Sequence, residues 1–294
     1  MKKLHLLAGA LLLPFFVSAQ AVSTIDQDGE GHEGLIEQNG ASEALIEQIG
    51  SSSYAVISQI GADSYGEINQ NGTGHEGNTY QEGDGHISFT KQFGVEQLAN
   101  VDQTGYNQTA FQYQLGKGND AFIRQRGHDN FVDQQQDGTY NNVHARQDGR
   151  TNNSSILQEQ YGMYNGMTVN QWGSGYLAVQ YQDGTDNAMV ISQARGMDNQ
   201  AEQSQWGNDN YAKAVQHYDY NESYQVQDGV ALLSDVFQSG VGNYSWTEQY
   251  GEGNEAWVEQ YGTDNEAYIY QYGTNDLAYI YQNGYGNKAT VIQH

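Results

Sequence analysis

The chain has 294 residues, a formal net charge of −25, 36 glycines, one proline and no cysteine. An acidic excess of this size argues against nucleic acid as a partner, and a cysteine-free chain has no disulfide framework. Low hydrophobicity combined with high charge ordinarily signals disorder, but the chain repeats with a strict register, which disorder does not require.

The first element is a targeting segment. Lys2 and Lys3 open the chain, Leu4 to Phe16 is largely apolar, and Val17-Ser18-Ala19-Gln20-Ala21 supplies small residues. This pattern predicts a secretory signal peptide over 1–21, cleaved after Ala19 or Ala21, followed by one repeat domain over 22–294. No later stretch approaches the ~18 apolar residues of a spanning helix, so an integral membrane protein is not expected. Without the segment, 36 acidic side chains face 9 basic ones, a balance of −27, and the only proline, Pro14, is gone.

A glutamine recurs through everything that follows. It stands at Gln27, Gln38, Gln48, Gln59, Gln70, Gln81, Gln92, Gln103, Gln114, Gln125, Gln136 and Gln147. It continues at Gln160, Gln171, Gln182, Gln193, Gln205, Gln216, Gln227, Gln238, Gln249, Gln260, Gln271, Gln282 and Gln293. Of the 24 intervals between these 25 positions, 21 are eleven residues, and the slips fall at 38–48, 147–160 and 193–205. Glycine follows two residues later in 22 cases, as at Gly251, Gly262, Gly273 and Gly284. Four residues before the glutamine the side chain is usually small, as in Ala256 and Ala267. Two before it is often β-branched, as in Val258 and Ile269.

This is period-two alternation bounded by glycine-rich turns, the signature of strands. A glycine every eleven residues and the missing 3.6 period exclude helix. An eleven-residue strand and turn cannot bury a face alone, so copies must stack. The expected fold is all-β: a β-solenoid of strand-turn-strand units, with ~11-residue half-coils and ~22 residues per coil, in which each glutamine amide bonds the one above and below. At about 4.8 Å per strand, some twelve coils make a rod on the order of 60 Å long.

The turn residue five places after glutamine divides the chain. It is Asn at Asn119, Asn130, Asn141, Asn152, Asn165, Asn187, Asn210, Asn221, Asn243, Asn254, Asn265 and Asn287. Earlier, counting places His32, Glu43, Ser53, Ser64, His75, His86, Gln97 and Gln108 there. Asn closes turns and can ladder with its copies, so the front units are expected to be the looser end.

The spacing Gln-x-Gly-x-x-Asn-x-x-x-x-x-Gln, as in Gln249 to Gln260, resembles the curlin repeat over essentially the whole mature chain. The resemblance implies a secreted subunit of curli, the bacterial extracellular functional amyloid of biofilm matrix and surface adhesion. It further implies a β-solenoid with inward Gln and Asn ladders, other curlin-like subunits as partners, and passage through an outer-membrane secretion apparatus. The chain differs in having about twelve coils where a major curlin has about five, and in reaching Ile25-Asp26-Gln27 without a Gly/Asn-rich leader.

Chemistry other than assembly finds little support. The acidic residues fall on outward and turn positions, the eight histidines are scattered, and no nucleophile motif or metal-spaced cluster appears. No enzyme, cofactor or metal is expected. Calcium-binding β-rolls use a nine-residue period, and this one is eleven. Aromatics flank the ladder at Tyr80, Tyr113, Tyr161, Trp172, Tyr181, Trp206, Tyr250, Tyr261, Tyr270, Tyr272 and Tyr281. They read as cross-strand packing or as stripes for lateral contact. No capping segment is recognisable at either end of the ladder, so polymerisation head to tail is expected. The competing expectation is a monomeric β-solenoid adhesin or ice-binding protein, although flat arrays of small hydroxyls are missing.

Overall fold

The computed structural model describes residues 4–6 and 21–294; apart from Leu4–Leu6 and Ala21, the expected signal peptide lies outside the described residues. Every element is a strand. β1 (Leu4–Leu6) runs antiparallel along β2 (Val22–Glu30), Leu4 opposite Gln27. From β2 on, the chain winds through β3 (Glu33–Asn39), β4 (Glu43–Ser51) and so on to β25 (Leu277–Tyr285) and β26 (Lys288–Gln293). Each strand pairs in parallel with the one two places on, giving two facing walls: the even-numbered strands in one sheet, the odd-numbered in the other. This is a β-solenoid of about 12 turns.

Register follows the glutamines, because shifting a strand by one residue would turn its whole inner face outward. Gln249 lies opposite Gln271 and Gln260 opposite Gln282. Between the walls sits a thin core of Ala, Val and Ile, with Ile57, Ile123, Ile191 and Ile269 fully buried. Small and large inner residues compensate each other. Gly77, which replaces the usual Ala, would put a Cβ 3.0 Å from the Cγ2 of Ile68.

The slips correct the turn assignments made by counting. In the shortened 38–48 unit the corner is Ser42, buried, and Glu43 already starts β4. In the 147–160 unit two extra residues are absorbed inside the strand Asn142–Asn152, where the register jumps between Gln147 and Asn152. Thr151 takes the stacked-glycine place opposite Gly127, and Ser154 takes the corner that counting gave to Asn152. Thr151 Oγ1 pins the bulge by donating to Asp148 O at 2.7 Å and Gln171 O at 3.0 Å. In the 193–205 unit the corner is Asn199, one place later than counting would put it.

Candidate functional site: ladder columns and open edges

Along each strand the inward positions form columns running the length of the rod. The first is the predicted glutamine column. Every consecutive pair in each wall is joined by Nε2 donating to the Oε1 of the next copy, at 2.6 to 3.2 Å. The same amide reaches across the core to a backbone carbonyl of the opposite wall, as Gln260 does to Tyr244 O at 2.9 Å. A buried amide is costly unless both its ends are paired, and this arrangement pairs both. All the bonds point one way, so the ladder is polar: acceptors face the β2/β3 end and donors the β25/β26 end.

A second glutamine column stands beside it, which sequence reasoning missed. Gln112, Gln134, Gln158, Gln180, Gln203 and Gln225 are linked in the same sense at 2.7 to 3.1 Å. They occupy the slot two before the main glutamine, but only in one wall; the other wall keeps Val, Ile or Ala there, as at Ile123 and Val169. The recurrence of these glutamines every 22 to 24 residues was the available signal.

The glycine column explains Gln-x-Gly. Gly240 has φ +137, and a Cβ there would come 1.8 Å from the carbonyl oxygen of Gly262. Both the left-handed backbone and the close approach demand glycine. Gly251 and Gly262 share this state. Gly149, in the bulge, would meet nothing within 4 Å. Tyr218, at φ +70, and Thr151 are side chains that interrupt the column.

The corner column uses Asn for its three simultaneous bonds. Asn119 Nδ2 donates to Leu115 O at 2.9 Å and Gly138 O at 3.2 Å, while its Oδ1 accepts the Asn141 amide at 3.1 Å. Asn254 and Asn265 are fully buried in the same role, whereas Asn287 lies exposed at the edge. Towards the front, His75 and His86 imitate Asn with two ring nitrogens: His86 bonds Glu82 O at 3.1 Å and accepts the Gln108 amide at 3.4 Å. Burial holds both imidazoles below the ordinary histidine range, so they are neutral.

Outward, the aromatics pack on one another and still reach solvent. Tyr161, Tyr181 and Trp206 have ring centroids 5.7 and 5.5 Å apart, and Tyr250 stacks on Tyr272 at 5.7 Å. Trp172, Trp206, Tyr272 and Tyr281 remain exposed. Burial, with help from Glu67, pushes the Tyr65 phenol up to about 12. Among the described residues no helix is long and apolar enough to cross a membrane, and no group of three or more potential metal ligands is gathered.

These columns define a β-solenoid repeat protein whose interior is a set of polar amide ladders running the length of the rod. The family description "Curlin associated repeat" matches residues 98–127, 234–262 and 262–294. Three matches along the chain support a protein of the curlin family. No curated protein matches it.

Proposed function

We propose that this chain is a secreted structural subunit, exported by its 1–21 signal and self-assembling into extracellular curli-like amyloid fibres that serve biofilm matrix and adhesion. Its partners are its own copies, other curlin-like subunits and an outer-membrane secretion apparatus; it performs no catalysis. The observation that carries this reading is the state of the ladder at its ends. Among the described residues Gln38 Oε1 is buried without a hydrogen-bond partner, and the amides of Gln282 and Gln293 donate to backbone carbonyls and to no other glutamine. Once the signal, whose Leu4–Leu6 pairs along β2, is removed, such a ladder templates another copy. Curlin repeats at three places in the chain support the same role.

An ice-binding role draws no support from the outward face, which carries Tyr, Glu and Trp instead of a flat hydroxyl array. The test is electron microscopy and fibre diffraction of purified 22–294 left at rest in buffer. Fibres with a reflection near 4.8 Å are expected. A protein that stays monomeric and never seeds its own conversion would contradict the reading.

A further inference from the structure

In the mature chain, freed of the proposed signal whose Leu4–Leu6 pairs along β2, one wall contains thirteen strands and the other twelve. The walls are also offset by half a step. Gln260 Nε2 reaches Tyr244 O and Asn265 O, both at 2.9 Å, which belong to successive turns of the opposite wall. Each strand therefore sits at a height between its two neighbours across the core, and the β2–β26 solenoid contains a whole number of coils plus one half.

That parity decides how a second copy can dock. Suppose it docked in phase, with its β2 on β26. The opposite wall would then lack one strand between β25 and the incoming β3, leaving two facing edges about 9.6 Å apart, unable to hydrogen bond. Placing the incoming β3 on β25 instead would drive β2 into the space that β26 occupies. A rotation of half a turn about the rod removes both faults. β2 then lies on β25 and β3 on β26, and each wall of one copy continues as the other wall of the next.

Resting on the assembly reading above, we infer that successive copies in the fibre are related by a half-turn about its axis, through pairing of β25 with β2 and of β26 with β3. The register that aligns the glutamines brings Gln293 Nε2 to the unpartnered Gln38 Oε1. It also sets Lys288 beside Glu33. Lys288 already bonds Glu266 at 2.6 Å on its inner side, and it is the only Lys or Arg after Lys213, while none occurs between Lys3 and Lys91. The half-turn places this cation between two carboxylates; in-phase docking places it against Val22.

The absence of native cysteine makes the test direct. Lys288 and Glu33 are exposed, so Lys288→Cys and Glu33→Cys leave the interior untouched, and paired parallel positions suit disulfide geometry. Fibres of mature Lys288→Cys/Glu33→Cys, assembled reduced and then oxidised, should give a ladder of covalent oligomers on a denaturing gel. Fibres of Lys288→Cys/Val22→Cys should give monomer. The reverse result, or monomer from both, overturns the half-turn while leaving fibre formation itself intact. Failure of the native mature chain to form fibres overturns both. Cryo-electron microscopy of native fibres should show a half-turn per subunit with a rise of about 60 Å.

Discussion

The corner columns at the two ends of the rod solve one geometric problem with different side chains. From Asn199 towards the C-terminal end, Asn221, Asn243 and Asn265 donate and accept at once. Asn243 gives its amide to Asn221 Oδ1 at 3.0 Å and Gly262 O at 3.1 Å, and takes that of Asn265 at 2.9 Å. In the front third, Ser64 Oγ accepts the His86 amide at 3.2 Å and makes one long bond of its own, donating to Ala62 O at 3.5 Å. Gln97 and Gln108 leave Oε1 buried without a partner, and His32 leaves Nε2 so. The backbone follows the same path in both regions. The difference teaches that glutamine and glycine specify the coil, while the corner residue adjusts how firmly each coil is closed.

The glycine column offers the largest test, because there the two regions should behave alike. Gly94→Ala in front and Gly240→Ala behind each force a Cβ to within 2.0 Å of a neighbouring carbonyl oxygen. Each should cost about 3 kcal/mol or more, read as loss of the folded repeat by circular dichroism. A large gap between them would mean that coil geometry differs along the rod.

Next comes the corner itself. Asn243→Ala removes the amide bonds to Asn221 Oδ1 and Gly262 O and the acceptor used by Asn265, and should cost about 2–3 kcal/mol; Ser64→Ala should cost about 1 kcal/mol. Denaturant unfolding of the two variants measures the ratio, and equal losses would erase the distinction. Smaller still, Gln97→Asn and Gln108→Asn supply the shorter amide this corner fits and remove an unpaired carbonyl. Each should stabilise by about 1 kcal/mol in the same assay.

The smallest effect concerns pH. His75 and His86 are held by burial below their ordinary pKa, so the unfolded chain takes up their protons first as pH falls. Their contribution is complete above about pH 6.5 and is lost as the pH drops through that value towards the lowered native one. His75→Asn/His86→Asn should flatten the decline in stability between about pH 6.5 and 5. An unchanged slope would show that neither imidazole is held neutral.

Much of this architecture was legible in the sequence because strand pairing repeats one register. The spacing from Gln249 to Gln260 to Gln271 told which face is inner and how long each half-coil is. What counting could not see were the places where pairing, and not turn length, decides. Asn152 and Gly149 carry the right identity at the right count, yet Thr151 and Ser154 take their places because the two extra residues bulge where they cost least. Glu43 failed for the opposite reason, a turn one residue short. The ladder through Gln112 and Gln134 was hidden because β-branched residues fill that slot in the alternate strands, so the eleven-residue period concealed a 22-residue one.

Folding and assembly are, on this account, the same amide ladder extended from within a chain to between chains. The direct measurement is hydrogen exchange of glutamine side-chain amides in fibres of residue-labelled mature protein, read by nuclear magnetic resonance. Gln293, whose outward amide would meet the next copy, should be as protected as the interior Gln147 and Gln260. Interior glutamines protected while Gln293 exchanges like a free amide would contradict the claim that the ladder crosses from one subunit to the next.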